Sequence, residues 1–357
     1  MNLKIERDLW QYLAETDKKI VMYGMGNGAD KILRICERYG IEISDFFASD
    51  GFVRGHSFHG KTVLSYSAVK EKYGAENIIV LLSFASSLDG VIENILRVAS
   101  ECELYAPDVP VFGETLFDYD FFKAHRTELD SVYEMLSDGE SKEIYENVIK
   151  YKLTGDISCL EKAVSDKDKV YRELLEAEKI KSYADLGAYN GDTVRELSEY
   201  DPCLERAIAL EPDKRTFKKL SAYADEENRF TVTPINAAAW SYDTNLSFDA
   251  SGNRNSNVGG AGKTVEVCAK ALDSVIEGSV DYIKYDVEGS EREAIDGSVK
   301  VINEYFPTLL VSLYHRSEDI FALPLLIKEK FPKYRLYIRR YRYIPAWDLN
   351  LICVCDR

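Results

Sequence analysis

The stretch Ser182-Tyr183-Ala184-Asp185-Leu186-Gly187-Ala188-Tyr189-Asn190-Gly191-Asp192 decides the fold of this chain. A run of strand length enters a loop bracketed by two glycines. Thr193-Val194-Arg195-Glu196 then has the spelling of a capping box that opens a helix. Glycine belongs where backbone must approach a ligand closely or take a positive φ, and N–H groups at a helix start bind a carboxylate. Asp185, at the strand end, is placed to bond an amine or to hold the loop. Strand, glycine turn and helix form the unit of a parallel α/β sheet with its ligand at the carboxyl edge.

Working outward, a second strand over Arg206–Leu210 ends in Glu211-Pro212. Glu211 stands about 20 residues beyond Gly191, the spacing at which an acid bonds ribose hydroxyls. A carboxylate there accepts both diol protons and repels a 2′-phosphate. This indicates an adenosine-type cofactor and leaves NAD and S-adenosylmethionine (SAM) both open. A further strand, Tyr282–Tyr285, runs into Asp286-Val287-Glu288-Gly289 and a helix opened by Ser290-Glu291-Arg292-Glu293. Asp286 and Glu288 thus fall at the carboxyl edge, as site residues or as a turn that caps the helix. Other expected strands are Phe230–Ile235, Leu309–Leu313, Arg335–Tyr341 and Leu349–Val354, with a hairpin at Asn245–Phe248 and Thr264–Ala269. Ser317 to Lys330 reads as a helix.

The ordered motifs Asp185-Leu186-Gly187-Ala188-x-x-Gly191-Asp192, Leu210-Glu211-Pro212-Asp213, Asn236-Ala237-Ala238-Ala239, Leu272-Asp273 and Lys284-x-Asp286-x-Glu288-Gly289-Ser290-Glu291 resemble the FkbM family of methyltransferases. The resemblance covers about residues 180–355. It implies a class I fold, SAM as cofactor, and methyl transfer to a hydroxyl oxygen of a sugar or polyketide-like acceptor. It also implies that Asp185, Gly187 and Gly191, with Ala188, Tyr189 and Asn190 between them, line the methionine end of SAM. Glu211 and Pro212 would lie at the ribose, Asn236 and Ala237 at the adenine, and Asp286 and Glu288 at the reacting centre. Tyr189 departs from the small or polar residue of many members, so it narrows the pocket or stacks over it.

Methyl transfer to an alcohol needs alignment, exclusion of water and a base. The candidate bases are His315, Asp286 and Glu288. His315 follows the strand Leu309–Leu313, and an imidazole with an ordinary pKa near 6.5 suits base chemistry at neutral pH. Two carboxylates could hold Mg²⁺, but no third ligand stands nearby in sequence, so no metal is expected. The polar, glycine-rich loop Ser251–Gly260 reads either as a surface loop or as a lid over the acceptor. Tyr334–Tyr343 mixes basic and aromatic residues and reads as an antiparallel strand with one wet face.

The first part of the chain holds a second strand–glycine–helix unit, Lys19–Tyr23 followed by Gly24-Met25-Gly26-Asn27-Gly28-Ala29. It matches the dinucleotide fingerprint, with Asp50 about 20 residues on. Gly60-Lys61-Thr62-Val63 and Asn77–Leu82 resemble the small Rossmann-like domains attached to sugar-modifying enzymes. No Tyr-x-x-x-Lys accompanies the fingerprint, so the expectation is a Rossmann-like module without redox chemistry. The alternative is a nucleotide-sugar oxidoreductase or binding module run by this domain. Residues 1–113 form the first domain in this reading, 114–180 a helical connector, and 181–357 the methyltransferase domain. Two doubly wound α/β domains are therefore expected.

The 357 residues carry a net charge of −16, which repels phosphate backbones and argues against a nucleic-acid partner. A small-molecule or sugar acceptor fits this charge, and a homo-oligomer stays open. No apolar run reaches the roughly 18 residues of a membrane span, and Met1 to Trp10 lacks a signal's apolar core. Seven cysteines without a CxxC pair read as reduced thiols. Cytosol is the expected location.

Overall fold

The computed structural model describes residues 1, 3–249 and 264–355. The loop Ser251–Gly260, with its expected role as a lid, lies outside the described residues.

Two parallel-cored sheets carry the chain. The first is wholly parallel, in the order Leu64–Ser65, Ile43–Ala48, Lys19–Tyr23, Ile78–Leu82, Glu103–Tyr105. The strand order reverses beside Lys19–Tyr23, the pattern of a doubly wound fold. Ile78–Leu82 is buried along its whole length, as a strand covered on both faces must be.

The second sheet has seven strands in the order Thr231–Ile235, Arg206–Leu210, Ser182–Leu186, Tyr282–Tyr285, Thr308–Ser312, Leu349–Val354, Arg335–Arg340. The first five are parallel and the last two join antiparallel. This is the class I methyltransferase arrangement that the motif order predicts. Its switch point lies between Ser182–Leu186 and Tyr282–Tyr285, so the loops after those strands face each other. Thr244–Asp249 and Thr264–Lys270 pair as the expected antiparallel hairpin.

Between the sheets run the helices Tyr119–Ala124, Arg126–Met135, Gly139–Thr154 and Ile157–Glu161. Gly139–Thr154 packs on the strand Arg335–Arg340. That strand was expected to keep one wet face, but after Arg335 it is buried throughout. Its arginines serve as clamps: Arg339 Nη2 pairs with Asp138 at 2.6 Å, and Arg340 Nη1 donates to the Leu160 carbonyl at 2.9 Å. Covering by the connector, which strand periodicity does not encode, makes the difference.

The stretch after the first sheet lies on the carboxyl edge of the second. Phe112 N donates to the His315 carbonyl at 2.8 Å, Ser317 Oγ to the Thr115 carbonyl at 2.6 Å, and the Arg316 guanidinium stacks 4.1 Å from the Phe112 ring. Lys31, on the helix Asn27–Tyr39, ties that stretch back by donating to the carbonyls of Pro110 and Val111, each at 2.8 Å.

Candidate active site

The glycine loop leaves the strand through Gly187, at φ +88°, where an added Cβ would stand 1.9 Å from the Asp286 carbonyl oxygen. Two loops at the switch point therefore touch backbone to backbone, and only glycine allows it. The N–H groups of Gly187 and Ala188 both donate to the Leu210 carbonyl, at 3.0 and 2.9 Å. They fasten the loop to the neighbouring strand and do not point at a ligand. Gly191, at φ +82°, caps the helix Asp192–Tyr200, which therefore starts before Thr193. The expected capping box does not form, because the Thr193 hydroxyl donates to Asp185 Oδ2 instead. Tyr189 takes φ 46° and is 42% exposed, so its ring stands out over the edge and does not fill the loop.

Asp185 is fully buried, and its Oδ1 has no hydrogen-bond partner. Lys284 Nζ stands 3.6 Å from that oxygen and 3.2 Å from Asp286 Oδ2. Burial raises the Asp185 pKa, although Lys284 opposes the rise. A buried carboxylate oxygen with a vacant lone pair at a sheet edge suits an ammonium donor.

Glu211 is buried at the end of the second strand and accepts from Asp213 N at 2.8 Å. Burial pushes its pKa up to about 7, although bonds from the backbone of Asp213 and Tyr189 pull it down. Asn236 Nδ2 donates to the carbonyls of Glu211 and Pro212, at 2.8 and 3.1 Å. Asn236 thus shapes the wall beyond Glu211, and Ala237 beside it is buried.

Asp286 accepts from Ser312 Oγ at 3.0 Å, Tyr314 Oη at 2.9 Å and Lys284 Nζ at 3.2 Å. Burial works against its charge, but Lys284 and His315 hold it well below the usual carboxylate range. Glu288 takes φ 50° in the following turn and is exposed at the mouth. That turn is fastened by Glu291: its Oε1 accepts from Val287 N at 3.0 Å and Gly289 N at 3.3 Å.

His315 was expected as a base, and its surroundings argue against the neutral form. Its Nδ1 is at ion-pair distance, 2.8 Å, from Glu291 Oε1, though not in hydrogen-bond alignment, and its Nε2 is 3.5 Å from Asp286 Oδ1. Burial opposes the charge, yet Glu291 and Asp286 raise the pKa to about 9. At neutral pH the imidazole already carries its second proton and has no lone pair to offer. Sequence order places His315 at the edge but does not reveal Glu291 beneath it. The roles of Lys284, Glu291, Thr193, Ser312 and Tyr314 were likewise not assigned from sequence, although Lys284 and Glu291 stand within the quoted motif.

A cavity of about 410 Å³ opens from this edge, lined by Asp192, Thr193, Lys284, Asp286, Glu288 and His315 at one end and by aromatic side chains farther in. The volume is that of a small-molecule site. Among the described residues, no group of three or more His, Cys, Asp or Glu is placed to hold a metal ion.

In the first domain two of the three fingerprint glycines, Gly24 and Gly28, are used for packing, while Gly26 faces open space. A Cβ at Gly28 would stand 2.1 Å from the Ser83 carbonyl oxygen, and one at Gly24 would stand 2.7 Å from Phe84 Cδ1. Asp50 accepts from Ser67 N at 3.0 Å and Ser67 Oγ at 2.6 Å, so it anchors the next helix.

The sequence model of the family described as Methyltransferase FkbM domain matches residues 185–345. The crystal structure of methyltransferase FkbM from Methylobacillus flagellatus is similar over 96% of this chain and 92% of its own, at 20% identity and a TM-score of 0.71. An rRNA methylase from Streptococcus thermophilus aligns over 54% of this chain and 99% of its own, at 11% identity and a TM-score of 0.36. A fibrillarin from Aeropyrum pernix, solved with bound S-adenosyl-L-methionine, aligns over 50% of this chain and 68% of its own, at 13% identity and a TM-score of 0.33. No curated protein matches the sequence. Residues 185–345 of this chain form a methyltransferase FkbM domain, a family whose methyl donor is SAM.

Proposed function

We propose that the chain transfers a methyl group from SAM to a hydroxyl of a sugar or other small-molecule acceptor. One observation carries the reading. Buried Asp185 with a vacant oxygen, buried Glu211 and the pair Asp286 and Glu288 stand along one sheet edge, and the last two line the cavity. When bound, SAM supplies an electrophilic methyl on a sulfonium.

The chain's own residues do the remainder. Asp185 Oδ1 takes an N–H of the cofactor's amine, and Glu211 accepts the ribose hydroxyls. Gly187 to Gly191 shape the loop between them, while Pro212, Asn236 and Ala237 border the adenine. Asp286, held ionised by Lys284 and His315, is a fixed negative charge at the reacting centre. Glu288 takes the proton of the acceptor hydroxyl, since His315 already carries one and Asp286 is held too acidic. His315 keeps Asp286 charged and oriented.

The charge of −16 favours a small-molecule acceptor over a nucleic acid. Seven free thiols suit a reducing compartment, and we place the enzyme in the cytosol. Calorimetry with SAM and its demethylated product tests the reading. Saturable binding of both, weakened in Asp185→Asn, is expected; no heat from either ligand would overturn it.

A further inference from the structure

The cavity runs well past the reacting edge. Tyr282, Lys284 and Asp286 point to the same side of one strand and all three line it. Four residues of strand at about 3.3 Å each give a depth of ~13 Å from Asp286 to Tyr282. The cavity is also walled by Tyr171, Tyr343 and Trp347 and floored by Tyr183 and Tyr282, whose rings stack at 5.0 Å.

The deep end has an unmet polar group. Tyr341 is 9% exposed, lines the cavity, and its hydroxyl has no hydrogen-bond partner. An orphaned buried hydroxyl is destabilising, and a bound ligand that donates to it or accepts from it relieves that. The polar groups around it already have partners. Lys167 Nζ pairs with Glu196, Tyr171 Oη donates to Glu196 Oε2 at 3.1 Å, and Asp348 Oδ1 accepts from Asn350 Nδ2 at 2.9 Å. An anionic acceptor would have to displace Glu196 from Lys167, whereas a neutral hydroxyl needs only Tyr341. Aromatic walls suit the flat apolar face of a ring.

Building on the methyltransferase reading above, we propose that this deep end is a recognition subsite for the non-reacting part of the acceptor. It takes a neutral, hydroxyl-bearing ring such as a pyranose, and Tyr341 is its specificity-determining residue. Lys167 and Tyr171 come from the connector and Val111 from the stretch after the first sheet, so the acceptor pocket is completed by chain outside the methyltransferase domain.

The test uses S-adenosyl-[methyl-³H]methionine with methyl glycosides of neutral hexoses, their monodeoxy counterparts and catechol as acceptor probes, on the full chain and Tyr341→Phe. Transfer to a glycoside is expected, with Tyr341→Phe raising KM about tenfold more than it lowers kcat. One monodeoxy glycoside should be insensitive to the substitution, and SAM affinity should be the same in both proteins. Because the hydroxyl has no partner, Tyr341→Phe should melt no lower than the parent. A glycoside KM unmoved by Tyr341→Phe, transfer to catechol alone, or no transfer to any probe while SAM still binds would each overturn the subsite. Failure to bind SAM would instead overturn the methyltransferase reading on which it rests.

Discussion

His315 Nδ1 lies 2.8 Å from Glu291 Oε1, and both side chains are buried. The pair ties the strand end that carries His315 to the turn that carries Glu288, because the same Glu291 oxygen holds Val287 N and Gly289 N. Its pH signature has a definite sign. The His315 pKa rises from 6.5 unfolded to about 9 folded, with Glu291 and Asp286 overcoming the opposing burial. The stabilisation is complete below pH 6.5 and is lost as pH rises through 9. Urea unfolding at pH 6, 7.5 and 9 should show a decline of at most about 3 kcal/mol across that window. Glu291→Gln should flatten it; an unchanged slope would remove Glu291 as the cause.

Glu211 should make SAM affinity depend on pH. Burial holds its pKa near 7, so it is protonated below that value and a carboxylate above it. A diol needs both carboxylate oxygens as acceptors, so affinity should strengthen from pH 6 to pH 8. Glu211→Ala should weaken binding about tenfold to a hundredfold and abolish the trend. Calorimetry at the two pH values reads both effects.

Gly187→Ala should damage the site from within the backbone. The new Cβ would meet the Asp286 carbonyl oxygen at a positive φ, so one loop must move. A stability loss of about 3 kcal/mol or more is expected, with SAM binding lost. A variant with parental melting temperature and affinity would show that the two loops need not touch.

Glu288→Gln should separate chemistry from binding. If Glu288 removes the acceptor proton, kcat should fall about 10²- to 10⁴-fold while SAM affinity changes only a few-fold. An equal loss in His315→Gln, with its pH optimum displaced, would return the base role to the imidazole.

The first domain should give no saturable NADH signal in a fluorescence titration, because Gly24 and Gly28 pack on Phe84 and Ser83 and Asp50 is bonded to Ser67. Clear binding that Gly26→Trp abolishes would restore the dinucleotide reading.

Much of the fold is legible in the sequence because its signals are local. The strand–glycine–helix spelling around Asp185 to Asp192 places the first strand of the second sheet within the residues observed. Glu211, Asp286 and Glu288 fall at strand ends that alternation and turn residues reveal. Helix starts are less legible. The Thr193–Glu196 spelling points to a capping box, but the Thr193 hydroxyl has a stronger partner in buried Asp185, which only the packed strand supplies. The helix Leu9–Glu15 passes unnoticed although Asp8 and Gln11 form a capping box, since seven residues give too short a period to read.

The sequence by itself determined where most strands of the second sheet begin and end and which carboxylates stand at their ends, because each depends on residues near one another in the chain. The tertiary structure decided what those groups are chemically. Glu291 and Asp286 hold His315 towards its charged form, the Leu210 carbonyl takes the N–H groups of Gly187 and Ala188, and Lys167 of the connector covers Tyr341, whose hydroxyl has no hydrogen-bond partner. A proton's place depends on the burial and charge that distant segments bring together, and no local pattern records them.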